Sequence, residues 1–249
     1  MQAEAKDRGV AVSFSGAGAT LRGLSFGADT SEATVILVPD VHGVSPLYCE
    51  IAARFAAAGL RILLLDLYVR EGTPRLTDMA AVQAWIADLP DARVLGDIGD
   101  AVAHLRSDAG GNARRVGIVG FCLGGQYALM AASRLDGLDA CVAFYGMLRH
   151  GRTTARKLPP PAETADALRC PVLGLFGADD ALIPASDREV FRSGAERSGQ
   201  PLDLRVFSGA GHAFVNDRRR DAYRADAARE ALDLAVTFLH DRLMPPSVH

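Results

Sequence analysis

Runs of near-continuous apolar residues, each about one strand long, punctuate the chain at Ala33–Val38, Arg61–Tyr68, Arg115–Val119, Ala140–Tyr145 and Val172–Phe176, and a further strand is read at Leu202–Phe207. Between them lie segments with helical patterning at Glu50–Ala58, Met79–Ala87, Val94–Ser107, Leu123–Ser133 and Ser186–Ser198, and a last one near Arg220–Leu243. In the third helical segment Val94, Ile98, Val102 and Leu105 recur at helical spacing. Strands that are apolar on both faces must be covered on both faces. Their alternation with helices therefore implies α/β architecture, a mainly parallel central sheet flanked by helices. Val10–Phe14 and Leu21–Phe26 flank Ser15-Gly16-Ala17-Gly18 and read as an N-terminal antiparallel hairpin.

No shift in composition divides the 249 residues, so we expect one domain over 1–249. Met1 to Arg8 carries two acids and two bases and no apolar run, so it reads as a flexible leader and not as a signal peptide. With 27 Lys plus Arg against 30 Asp plus Glu, the net charge of −3 gives no electrostatic case for nucleic acid or an anionic membrane. Cys49, Cys122, Cys141 and Cys170 show neither a disulfide framework nor zinc-ligand spacing, and a reducing, cytoplasmic setting is expected. One segment breaks the rhythm: 148–168 is polar, basic at first, and carries Pro159-Pro160-Pro161. Long connections in compact domains tend to be functional or mobile, and this one reads as a lid, a pocket wall or a plain surface excursion.

The most informative residues are Gly120-Phe121-Cys122-Leu123-Gly124-Gly125, set between an apolar strand and a helix. Glycine-x-nucleophile-x-glycine is the pattern of a sharp strand-to-helix turn that lifts a nucleophile above the carboxyl edge of a sheet. The turn is too crowded for side chains at the glycine positions. It also sets the sulfur at a helix N-terminus, where free N–H groups favour a thiolate. A phosphate loop would need Lys then Ser or Thr after the last glycine, and Gln126-Tyr127 stands there instead. The bland alternative for Cys122 is a small buried apolar residue.

A nucleophile needs a base, and the base needs an orienting acid. Both follow in the chain order nucleophile, acid, histidine. Asp179 and Asp180 lie just past the strand Val172–Phe176, and either could serve. His212 lies in Ser208-Gly209-Ala210-Gly211-His212, between the last strand and the last helix. His104 and His240 fall within helices, His150 lies on the long loop, and His249 is terminal. All the candidate groups fall at carboxyl ends of strands, where open α/β sheets bind ligands. The oxyanion donors expected there are the backbone N–H groups of Leu123 and of Val41, in Pro39-Asp40-Val41-His42-Gly43. His42 and Tyr145, also at strand ends, are expected to contact substrate.

From about Val35 to Leu239 the sequence resembles the dienelactone hydrolase family of α/β-hydrolases. The resemblance rests on Gly120–Gly125, Asp66-Leu67-Tyr68, Gly177–Pro184 and Gly209–Phe214. It implies the α/β-hydrolase fold and hydrolysis of a lactone or ester through an acyl-thiol intermediate, without metal or organic cofactor. The family's acid lies four residues before the proline of its loop, which selects Asp180; the cysteine and histidine fall on Cys122 and His212. Where the archetype has a glutamate that activates the thiol, this chain has the shorter Asp40. Of the two arginines that hold the substrate carboxylate, Arg70 matches one, and the other is replaced by Asn216 with Arg218, Arg219 and Arg220 close behind. The implied partner is a small ester or lactone.

Other readings use the same scaffold. One is non-hydrolytic acyl or isomerisation chemistry, since a superfold hosts many reactions. Another is a catalytically silent ligand-binding homologue. A redox-sensing thiol would need a resolving cysteine near Cys122.

Overall fold

The structure is a computed structural model that describes residues 9–28, 33–107 and 111–244. The expected leader 1–8 and His249 lie outside the described residues. Eight strands form one sheet in the order β1-β2-β4-β3-β5-β6-β7-β8. They are β1 (Val10–Gly16), β2 (Ala19–Phe26), β3 (Ala33–Val38), β4 (Arg61–Leu65), β5 (Arg115–Phe121), β6 (Ala140–Phe144), β7 (Val172–Gly177) and β8 (Leu202–Phe207). The hairpin β1–β2 is antiparallel and joins β4 antiparallel; every other pairing is parallel. This is the α/β-hydrolase sheet that the sequence implies.

The helices are α1 (Pro46–Ala57), α2 (Met79–Asp88), α3 (Asp91–Arg106), α4 (Leu123–Arg134), α5 (Pro161–Thr164), α6 (Ala185–Ser198) and α7 (Ala225–Leu243). Alternation along β5 shows how the sheet is covered on two sides. A Cβ on Gly117 would meet Leu239 and Leu243 of α7, whereas one on Gly120, three residues on, would meet α4. Helix α1 lies with α7, joined by Arg54 Nη2 to Asp233 Oδ1 at 2.7 Å. Strands β3, β4, β6 and β7 are buried throughout, as their unbroken apolar composition requires. Helix α4 is buried along nearly its whole length, which explains its small residues.

The structure moves some helix boundaries. Helix α1 starts at Pro46 and not Glu50, because proline suits a first-turn position whose N–H would have no intrahelical partner. Helix α3 starts at Asp91, an acid favoured in the first turn. The last helix starts at Ala225 and not near Arg220. The preceding residues close into turns, Asn216 N–H to Ala213 O (2.9 Å) and Ala222 N–H to Arg219 O (3.0 Å), and Arg224 N–H returns to Phe214 O (3.0 Å). Segment 148–168 is partly ordered into α5 and the 3₁₀ turn Ala165–Ala167.

Parallel pairing puts one end of the sheet to use. The pairs Val38↔Gly120, Phe121↔Phe144 and Gly177↔Phe207 bring the carboxyl ends of β3, β5, β6, β7 and β8 to a common edge. The residues that follow these ends are the ones singled out from the sequence.

Candidate active site

Cys122 lies between β5 and α4 with φ 54° and ψ −114°, a conformation that side-chain-bearing residues rarely adopt. Its N–H donates to Phe144 O at 3.0 Å, and its carbonyl accepts from Gln126 N–H at 3.0 Å. The flanking glycines are required by contact. A Cβ at Gly120 would stand 2.0 Å from Gly124 O, and one at Gly124 would stand 2.2 Å from Val38 O. The second gap also lets Val38 and Pro39, at the end of β3, come against the turn, and Val41 and Cys122 line the same pocket.

His212 Nε2 lies 3.2 Å from Cys122 Sγ, and its Nδ1 lies 2.8 Å from Asp180 Oδ2. The Asp180 side chain is fully buried. Its other oxygen accepts from Leu182 N–H at 2.9 Å, so both carboxylate oxygens are engaged. Asp179 instead lies exposed, with its N–H on Ala210 O, and takes no part in this chain of contacts. Desolvation pushes the His212 pKa down. The hydrogen bonds to Asp180 and Cys122, with the charges of both, outweigh it and raise the imidazole from 6.5 to about 10. Among the other cysteines, burial pushes the Cys49 and Cys141 thiols up and that of Cys170 up to about 12. Those thiols are held as neutral packing groups.

Strained backbone gathers here. Cys122, Tyr145 (φ 39°) and Ala213 (φ 62°) all have positive φ. Each such residue costs on the order of 1–3 kcal/mol and persists only where its surroundings enforce it. Tyr145 is buried, its ring edge-on to His212 at 5.2 Å and to Phe214 at 5.5 Å. It packs against the imidazole and is not among the residues that line the pocket.

The pocket over Cys122 is a cavity of about 360 Å³. Asp40, Val41 and His42 form part of its wall. Asp40 Oδ1 accepts from His42 N–H at 2.9 Å, and the carboxylate lies close enough to Tyr48 for its charge to act on the phenol. Burial first, then the negative charge of Asp40, pushes the Tyr48 pKa up, so that phenol stays a donor. Tyr68 donates to Val41 O at 3.0 Å. Leu123, at the first position of α4, has an N–H without an intrahelical acceptor.

Arg70 is not brought to the pocket. Its guanidinium is held by Asp97 Oδ1 at 2.7 Å and Ala17 O at 2.8 Å, toward the β1–β2 hairpin. The buried carboxylate of Asp97 outcompetes the pocket for that charge. Of the basic run after His212, Arg219 and the neutral Asn216 reach the wall. Arg219 Nη2 pairs with Asp221 Oδ2 at 2.8 Å, and Arg218 is drawn to Asp217 and Glu50.

Gln126, Met147, His150 and Arg152 complete much of the rim. The first has a signal in the sequence, since it stands one helical turn after Cys122. The others lie in or beside segment 148–168, part of which is therefore pocket wall. A buried polar cluster ties that wall down. Asp91 Oδ1 accepts from Lys157 Nζ and Tyr127 Oη, each at 2.8 Å, and Oδ2 accepts from Leu158 N–H at 2.9 Å. His150 Nε2 lies 2.7 Å from Leu158 O, which can only accept, so Nε2 carries the proton. His150 Nδ1 then accepts from Gln126 Nε2 at 3.0 Å.

The family model of the dienelactone hydrolase family matches residues 21–243. A relative from Bradyrhizobium sp, named "Probable 2-oxo-3-(5-oxofuran-2-ylidene)propanoate lactonase", is 34% identical over 205 residues, covering 82% of each chain. A relative from Salmonella typhimurium, named "Putative carboxymethylenebutenolidase", is 35% identical over 202 residues, covering 80% of this chain and 74% of its own. Among solved structures, "Putative Dienelactone Hydrolase from Klebsiella pneumoniae subsp. pneumoniae" superposes with a TM-score of 0.84 at 29% identity, over 92% of this chain and 98% of that one. With the sheet order, the turn at Cys122 and a family match across most of its length, the chain belongs to the dienelactone hydrolase family of α/β-hydrolases.

Proposed function

We propose that the protein is a cysteine-dependent hydrolase of esters or lactones, of the carboxymethylenebutenolidase type. The observation that carries this reading is the contact chain from Cys122 Sγ through His212 to buried Asp180. In the proposed reaction, Cys122 Sγ forms a bond to the carbonyl carbon. The carbonyl oxygen takes up the negative charge and is held by the N–H groups of Leu123 and Val41. The adduct collapses with cleavage of the carbon–oxygen single bond, and the departing alkoxide takes a proton from His212. In a lactone that oxygen stays attached to the acyl group. Water then attacks the thioester carbon and gives a proton to His212, and the second collapse releases the carboxylic acid and returns the thiolate.

Asp180 orients the imidazole and stabilises its cationic form. Asp40 Oδ1 accepts from His42 N–H, and no hydrogen bond joins Asp40 to Cys122 among the described residues. Its proposed part is to fix the loop that carries Val41, with its charge on the pocket wall. The lactonase and carboxymethylenebutenolidase names of the relatives support the same reaction class. The test is hydrolysis of p-nitrophenyl acetate by purified protein and by Cys122→Ala. Loss of kcat on the order of 10⁶ is expected. Undiminished turnover by the variant refutes the reading.

A further inference from the structure

The pocket has two dissimilar walls. On one side His42 and Asn216 and Arg219 present polar groups. This side is anchored toward α1 through Arg218 and Glu50. On the other side α2 turns Met79, Val82 and Ile86 into the cavity, joined by Met147 and Leu182. Helix α2 is fixed to the tethered 148–158 loop by Thr154 Oγ1 to Ala87 O at 3.0 Å and Lys157 Nζ to Leu89 O at 2.9 Å. Met79 is 60% exposed and Leu182 52%. Large apolar side chains left open around a reactive thiol gain free energy only when something apolar covers them.

The charged side is weak by comparison. Arg70 is committed to Asp97, Asn216 is neutral, and Arg219 already shares its charge with Asp221. Arg152 at the rim still offers a cation to a substrate carboxylate, but most of the exposed pocket lining is apolar.

We infer that the substrate is an ester or lactone bearing an apolar chain or ring of several carbons, seated against Met79, Val82 and Ile86 of α2. This rests on the proposed hydrolase reading and names its substrate class. The cavity of about 360 Å³ lies at the small end of small-molecule sites, which run from roughly 300 to 1,000 Å³. It suits a compact substituent and not a long lipid chain.

The experiment compares kcat/KM for p-nitrophenyl acetate and hexanoate, and for γ-butyrolactone and γ-octalactone, in wild type, Met79→Glu/Val82→Glu and Val190→Glu. Val190 is on α6, outside the pocket. At least one series is expected to rise about tenfold or more with the added carbons. That ratio collapses toward one in the α2 variant and persists in Val190→Glu. Two flat or falling series, or a ratio that survives the α2 changes, overturn the inference.

Binding separates this from the hydrolase reading. Isothermal titration calorimetry reports that binding without any need for turnover. In Cys122→Ala protein, γ-octalactone should bind about tenfold or more tightly than γ-butyrolactone. That result with no turnover of any ester by wild type sustains the apolar wall and discards hydrolysis. Equal binding with normal turnover does the reverse.

Discussion

The hydroxyl of Tyr68 donates to the carbonyl oxygen of Val41 over 3.0 Å, and so couples the turn after β4 to the loop after β3. Burial, the largest influence, pushes the Tyr68 pKa up, which favours the protonated, donating phenol. Tyr68→Phe removes this bond with almost no change in volume. A hydrogen bond of this kind contributes about 0.5–1.5 kcal/mol. If Val41 helps hold the oxyanion, kcat for p-nitrophenyl acetate falls roughly three- to tenfold with KM nearly constant. Steady-state kinetics give the answer, and a change confined to KM argues against a role for the Val41 loop in the chemistry.

Asp180→Asn keeps the shape of the acid but changes which imidazole nitrogen carries the proton. A comparable change in another triad lowers kcat on the order of 10⁴. A loss of that order is expected here, while circular dichroism stays that of the native fold. Asp179→Asn, altering an exposed neighbour without a contact to His212, should leave the rate within about twofold of wild type.

The pH profile follows from His212. A pKa raised to about 10 means that the ring keeps its proton through neutral pH and surrenders it as pH rises toward 10. An ethyl ester needs that proton to expel its alkoxide, whereas p-nitrophenolate departs unaided. The kcat/KM for an ethyl ester should therefore decline on the alkaline side with an apparent pKa near 10. The p-nitrophenyl ester should show no such decline. Asp180→Asn removes one of the influences that raise the pKa, and moves the ethyl-ester limb to lower pH.

Lys157 and Asp91 form an ion pair whose side chains are almost wholly sequestered from water. Lys157→Met leaves a buried carboxylate without its cation, which typically costs about 3–5 kcal/mol. Urea denaturation should record a loss of this size. A shift below about 1 kcal/mol means that Tyr127 and Leu158 satisfy Asp91 without help.

Much of this site is legible in the chain because local chemistry and sheet topology agree. Gly120 and Gly124 announce a turn that excludes Cβ atoms, and strand ends with polar loops place Cys122, Asp180 and His212 on one edge. Arg70 shows where such reading stops. Whether an arginine reaches a pocket depends on which carboxylates compete for it, and Asp97 sits 27 residues away. The partly helical course of 148–168 was equally hidden, since its anchor to Asp91 joins residues 66 apart. Helix α2 gave a helical pattern but no sign that its apolar face meets a cavity as well as a core.

The backbone under the sulfur has a practical consequence. At φ 54° and ψ −114°, position 122 is one that glycine would occupy with less strain than cysteine. Cys122→Gly would thus relax the turn while removing the proposed nucleophile, so backbone ease and the proposed chemistry oppose each other at this position. Any directed-evolution campaign on this scaffold has to screen survival and turnover together, because at this one site the two demands point to different amino acids.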